Sequence, residues 1–324
     1  MNNIKFTKSD AYYKKVLKLI PTASQTFSKS AIQYSKGASP LFLDKGKGAF
    51  VWDVDGNKYI DYVGALLPII LGYNDKDVDN AIIKQLKKGI SFSLPTILEL
   101  DLARLIVNYI PCAEMVRFAK NGSDATSAAI RLARAYTGKD VIAVSGYHGW
   151  HDWYIGTTSR SLGVPKKVAE FTQSFEFNNI ESFKKLLSDN KNNVAGVMIE
   201  PESSVPANKK FLKELRDITK KKNIVLIFDE IVTGFRVHFS GAQAKYKIRP
   251  DLACFGKSLA NGMPLSVITG KKHIMKLMDD IFFSGTFNGE ALSIAAGIAT
   301  LMKLKNLNVT NKIIKHGKFL KKRN

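Results

Sequence analysis

Cysteine is scarce in this sequence, with only Cys112 and Cys254 among 324 residues. Two isolated cysteines exclude a disulfide-stapled scaffold and a cysteine-rich zinc site. Long apolar runs are missing as well. The longest, Ala65 to Leu71, is interrupted by Pro68 and is far too short to cross a bilayer. The first ten residues, Met1 to Asp10, lack the apolar core of a secretory signal, so the expectation is a soluble, cytoplasmic protein. Acidic residues are few: 28 Asp and Glu against 49 Lys and Arg leave a formal charge of +21, and none follows Glu290. Such a charge admits an anionic partner. A nucleic-acid binder, however, interleaves its basic residues with aromatics or carries a reading motif. Here lysines crowd with asparagines, as in Lys220 to Asn223, a pattern of solvated surface. Nucleic-acid binding stays a rival whose one concentrated feature is the basic end, Lys318 to Arg323.

What is present is ordinary globular material, 45% hydrophobic and 24% charged, which excludes disorder as the main state. At roughly 150 residues per domain the length suggests about two domains. Residues through about Pro40 are polar and weakly patterned. Phe50 to Asp61 reads as two strands around the tight Asp55-Gly56 turn. Asp77 to Lys88 and Leu98 to Ile110 have helical spacing, the second stopping at Pro111. From Val116 the chain alternates. The helices are Ser123 to Tyr136, Ile180 to Leu187 and Phe211 to Lys221. The strands are Val141 to Val144, Val194 to Ile199, Ile224 to Phe228 and Leu252 to Phe255. Apolar runs between helices predict an α/β fold, a mostly parallel buried sheet with helices on both faces. In such sheets chemistry gathers at the carboxyl ends of the strands.

Candidate residues sit at those ends. Asp229 follows the most apolar strand, as a ligand-facing carboxylate or as a turn residue. Lys257 follows the next, where desolvation would lower its pKa and favour Schiff-base chemistry, although surface lysines are common here. Gly256-Lys257-Ser258 imitates the end of a P-loop, but the required glycine is replaced by Asp251. Asn121-Gly122-Ser123 opens an alanine-rich helix, either as an anion site or as a plain cap. Tyr147-His148-Gly149-Trp150-His151 is an aromatic loop at a strand end. Its two histidines lack a third ligand at suitable spacing, so no metal is expected. Ser284-Gly285-Thr286 precedes a helix of small residues, Ala291 to Thr300, as a phosphate contact or a cap.

The order of these features carries more than any one of them. Gly122-Ser123, Tyr147-His148-Gly149, Glu200-Pro201, Asp229-Glu-Ile-Val-Thr-Gly-Phe-Arg236, Lys257, Asn261-Gly-Met-Pro-Leu265 and Ser284-Gly-Thr286 follow in sequence. From about Pro40 to about Thr300 the chain resembles the class III pyridoxal-phosphate-dependent aminotransferases of fold type I. Within them it is most similar to the glutamate-1-semialdehyde aminomutase branch. The resemblance implies pyridoxal 5'-phosphate as cofactor, with Lys257 holding it as an internal aldimine and moving a proton, and Asp229 pairing with the ring nitrogen. It also implies Tyr147 and Ile231 on the two ring faces and Gly122 and Ser123 around the phosphate. His148 and Glu200 lie in motifs flanking the cofactor. Thr286 is implied to reach the phosphate of a neighbouring subunit, and hence a homodimer. The implied activity moves an amino group between a donor and an aldehyde, ketone or keto-sugar acceptor.

Two departures qualify that reading. Aminomutases of this type carry an Asn a few residues past the Glu-Pro pair, where this sequence has Val205, and a Ser-Trp-Gly-Pro stretch where it has Ala65 to Pro68. Both predict an altered substrate wall, which favours a transaminase over the aminomutase. Family members also continue into a C-terminal small domain that closes over the site. The expected division is therefore 1–75 as an N-terminal segment feeding the small domain and substrate pocket, 76–305 as the cofactor domain, and 306–324 as the start of a truncated C-terminal segment. A fragment or shortened product follows from this, its basic end a severed helix. A truncated, non-catalytic basic binding protein is the remaining alternative.

Overall fold

A strand that is apolar on both sides must be covered on both faces. In the computed structural model, which describes residues 4–322, the apolar runs form the centre of a seven-stranded sheet. A small antiparallel sheet comes first: β1 (Leu43–Lys47), β2 (Phe50–Asp53) and β3 (Lys58–Ile60). The Asp-Gly turn lies between β2 and β3, with Gly56 at φ 91°, a left-handed value that glycine adopts without strain. Asp55 of that turn accepts from the amides of Lys8 and Ser9, in the first turn of the helix Thr7–Val16. That carboxylate anchors the weakly patterned beginning of the chain together with Asn57, whose Nδ2 donates to the Lys5 carbonyl at 2.9 Å.

The large sheet contains β4 (Met115–Ala119), β5 (Val141–Ser145), β6 (Thr172–Ser174), β7 (Val194–Ile199), β8 (Val225–Asp229), β9 (Leu252–Phe255) and β10 (Ser266–Gly270). Their spatial order is β4-β10-β9-β8-β7-β5-β6. All neighbours are parallel except β10, which runs antiparallel to β4 and β9. Sequence reading expects a mostly parallel sheet, as found, and leaves β4, β6 and β10 unassigned. The reversal has a simple cause. Only residues 256–265 separate β9 from β10, fewer than a parallel crossover requires.

Successive side chains of each central strand enter opposite layers. Leu226 and Phe228 join Val197, Ile199 and Phe255 on one face, with Phe183, Leu212 and Leu215 from covering helices. Val225 and Ile227 join Met198, Leu252 and Cys254 on the other, under the helix Gly122–Thr137. That helix presents Ala125, Ala128, Ala129 and Ala133, small enough to approach the strands closely. Gly196 in β7 matches it, since a Cβ there would lie 3.1 Å from that of Ala133. The helices Ala291–Asn306 and Val309–Lys321 end the described chain. The second is tied back through Thr310, whose hydroxyl donates to the Phe235 carbonyl at 2.7 Å. Among the described residues no helix is long and apolar enough to cross a membrane.

Candidate active site

The loops leaving the carboxyl ends of β5, β7, β8 and β9 enclose a cavity of about 500 Å³. Eight of the nine residues singled out from sequence line it: Gly122, Ser123, Tyr147, His148, Glu200, Asp229, Ile231 and Lys257. Thr286 does not. It borders a separate hollow with Ser91, Leu94, Arg117 and Ser284.

One end of the cavity is the start of the helix Gly122–Thr137. Asn121 caps it, accepting from the Asp124 amide at 3.1 Å, while the Asp124 carboxylate accepts from the amides of Asn121 and Lys120. This reciprocal box does not use the amides of Gly122 and Ser123, which stand at the positive end of the helix dipole. Gly149, at φ 108°, passes so close that a Cβ would lie 2.3 Å from the Ser123 hydroxyl. That hydroxyl accepts from the Trp150 amide at 3.1 Å.

The middle is set by Asp229, the last residue of β8 and nearly inaccessible. Its Oδ1 accepts from the Ile231 amide at 3.1 Å, and its Oδ2 lies 2.8 Å from His148 Nδ1. A carboxylate can only accept, so Nδ1 carries the hydrogen and the imidazole tautomer is fixed. His148 in turn is held by its own carbonyl, which accepts from the Thr126 hydroxyl at 2.9 Å. Glu200, just after β7, accepts from the Tyr147 amide at 2.8 Å. Gly146, at φ 116°, makes room for it, because a Cβ would lie 2.8 Å from Glu200 Oε2. Burial, opposed by the Tyr147 amide and aided by the charge of Asp229, raises the pKa of Glu200.

Lys257 opens a single 3-10 turn with φ 35°, an uncommon value for a side-chain-bearing residue. Burial lowers its pKa, which the Asp229 carboxylate opposes and the Arg236 guanidinium reinforces. A half-buried amine with reduced proton affinity is the more readily deprotonated, and the neutral amine is the nucleophilic form. Ile231 packs beneath, 3.3 Å from where a Gly122 Cβ would be and 3.0 Å from that of Gly256. The far wall comprises Pro68, Val232, Met263, Pro264 and Leu265, with Trp150 at the mouth.

Two sequence expectations change here. Val205 is exposed and is not among the lining residues, because the loop after Glu200 folds outward, with Glu202 bridged to Pro206. Of Ala65 to Pro68 only Pro68 lines the cavity, and it is the one position shared with the Ser-Trp-Gly-Pro stretch, so neither departure forms part of the wall. Lys120, unmarked by sequence reading, also lines the cavity and donates to Glu290 at 2.9 Å. Its position directly before Asn121-Gly122-Ser123, at the end of β4, was the available signal. No cluster of three metal-ligating side chains exists among the described residues.

The model of the family "Aminotransferase class-III" matches residues 32–323. The chain is 37% identical to a 3-aminobutyryl-CoA aminotransferase of Cloacimonas acidaminovorans, over 97% of this chain and 77% of that relative. It is 39% identical to a glutamate-1-semialdehyde 2,1-aminomutase of Desulforapulum autotrophicum, over 92% and 74%. Among solved structures it superposes on an omega-transaminase from Sphaerobacter thermophilus with a TM-score of 0.84 and 29% identity, over 91% and 72%. An ordered motif set gathered in one cavity, a matching sheet and these likenesses agree: the chain belongs to the class III aminotransferases.

Proposed function

We propose that the cavity is the active site of a pyridoxal-5'-phosphate-dependent aminotransferase and that the residues gathered there bind the cofactor. The donor set fits that group part by part. Lys257 offers an amine to its aldehyde, Asp229 a carboxylate to its ring nitrogen, and the start of the helix Gly122–Thr137 a positive dipole to its phosphate. The backbone at Gly122 and Gly149 leaves the floor free of side chains. Tyr147 and Ile231 also line the cavity and would pack against the ring. When bound, the cofactor supplies an electrophilic carbon and a ring that withdraws electrons from the substrate carbon beside it.

The protein's own groups do the rest. His148 donates to Asp229 and holds its carboxylate in place, so a protonated ring nitrogen meets a fixed partner. Glu200 fixes the backbone of Tyr147 and thereby the aromatic face. With the cofactor bound, the amine of Lys257 would be the group placed to take a proton from the donor carbon and to return it, the acid–base of the transfer. Its lowered pKa keeps it available as a base. The single observation that carries the reading is the meeting of Lys257, Asp229 and the Gly122 helix start in one cavity.

The substrates are an amino donor and a carbonyl acceptor. A second reading, an intramolecular aminomutase, is supported by several relatives of that name at 38–40% identity. Incubation with glutamate 1-semialdehyde separates the two. Sustained 5-aminolevulinate formation without an added donor establishes the aminomutase, and a requirement for donor and acceptor establishes the transaminase.

The proposal includes a homodimer. Leu94, Ile97, Phe282 and Phe287 are 77%, 73%, 81% and 60% exposed around the hollow that holds Thr286, an apolar concentration that a second copy would cover. Thr286 then serves the partner's cofactor. The proposed division is 76–305 as cofactor domain, which contains the whole large sheet, 1–75 feeding the substrate wall, and 306–324 as a C-terminal segment. Cys112 and Cys254 are buried free thiols, in keeping with a reducing, cytoplasmic location.

A further inference from the structure

Two residues of the identifying motifs have no part in the chemistry above: Arg236, seven residues after Asp229, and Asn261, four after Lys257. Both reach the same segment. Arg236 Nη2 donates to the Leu67 carbonyl at 2.5 Å, and its Nη1 donates to the Val232 carbonyl at 2.6 Å. Asn261 Oδ1 accepts from the amides of Ile70 and Leu71 at 3.0 and 2.9 Å, and its Nδ2 donates to the Gly72 carbonyl at 3.0 Å. The segment 61–73 is closed at its base, where the Tyr73 hydroxyl donates to Asp61 at 2.5 Å. Within it, Gly64, Ala65, Leu66 and Leu67 are all left-handed, at φ 55°, 56°, 71° and 79°. Side-chain-bearing residues keep such angles only where their surroundings hold them. The result places Pro68 in the cavity wall.

Resting on the proposed aminotransferase reading, we infer that Arg236 and Asn261 are positioning residues that clamp segment 61–73 and so set which donor side chains the cavity admits. The wall they fix contributes Pro68 to a cavity also lined by Val232, Met263 and Leu265, so it selects for an apolar substituent by size. The anchor points lie on the segments that follow Asp229 and Lys257, so the wall and the reacting groups share one frame. Arg236 suits the task. Its planar fork bonds two carbonyls at once, which lysine cannot copy. Burial lowers its proton affinity, with no carboxylate compensating among the described residues. Its charge also acts on Lys257.

The test uses Arg236→Lys, Arg236→Gln and Asn261→Gly, the last keeping the left-handed backbone of position 261 at φ 45°. Hydrogen exchange is read first, on the protein without cofactor. Asn261→Gly is expected to deprotect the amides of Ile70 and Leu71 while the helix Gly122–Thr137 keeps its protection. The loaded enzymes are then compared on 1-phenylethylamine and isopropylamine. Each variant is expected to change the ratio of the two kcat/KM values about tenfold or more, the scale of size discrimination by an apolar pocket, with cofactor affinity little altered. Only Arg236→Gln is expected to move the pH profile of the lysine-bound cofactor band, because Arg236→Lys keeps the charge. Unchanged exchange at Ile70 and Leu71, or ratios within about twofold of wild type in all three variants, overturns the inference. A wild-type chain with no cofactor band overturns the aminotransferase reading instead, and the exchange result still decides the clamp.

Discussion

The two hollows of this molecule are built differently. The cavity at Lys257 is lined by groups already bonded to one another: His148 to Asp229, Ser123 to Trp150, Glu200 to Tyr147. The hollow at Thr286 is flanked by exposed apolar side chains, Leu94, Ile97 and Phe287, and its Arg117 donates to the main-chain carbonyl of Phe283. The first is organised within one chain. The second presents apolar side chains to solvent. Lys120 connects them, lining the first while its ammonium pairs with Glu290, which lines the second and caps the helix Ala291–Asn306.

Breaking the first region should have the larger consequences. Lys257→Ala is expected to lower kcat by about 10³-fold or more, the scale of a lost acid–base group together with its covalent role, and to erase the visible band of bound cofactor. Asp229→Asn keeps the shape but removes the charge opposite the ring nitrogen. A fall in kcat of about 10²-fold or more is expected, with cofactor still retained on gel filtration. The second region is best tested by mixing. If Thr286 serves the partner's site, Lys257→Ala and Thr286→Ala chains combined in equal amounts form mixed dimers with one intact site each, restoring about a quarter of wild-type activity. No recovery would assign Thr286 to its own subunit. Ile97→Lys, on the exposed rim, should shift sedimentation toward monomer while leaving the sheet intact.

A pH experiment sharpens the contrast at smaller scale. Burial depresses the pKa of Lys257, so its neutral form appears below the ordinary lysine range as pH rises. The rate of cofactor capture should therefore climb through a pKa below 10.5 and level off above it. Lys303, whose proton affinity is raised by Asp75 and Asp77, serves as the opposite case and should label more slowly with a lysine reagent at the same pH.

Much of this was legible from sequence because it is local. The run Val225–Asp229 is apolar at every position before its carboxylate, and a buried strand ending in Asp at the sheet rim announces a ligand. The alanine face of Gly122–Thr137 predicts close helix–sheet packing. What sequence reading missed is set by distance along the chain. The direction of β10 follows from a short connection, and its pairing with β4 joins residues some 150 apart. The clamps on segment 61–73 span up to 191 positions, with nothing local to mark them. Val205 misled for the same reason, since an offset from Glu200 does not say which way the loop turns.

The central claim is that Lys257 and Asp229 form one cofactor site within this cavity. The most direct measurement is the visible absorbance of the purified chain titrated with pyridoxal phosphate, then with a panel of amino donors, beside the Lys257→Ala variant. The account predicts a saturable band in the wild type that a suitable donor bleaches and that the variant lacks. A band of equal strength in Lys257→Ala, or none in the wild type, would contradict it.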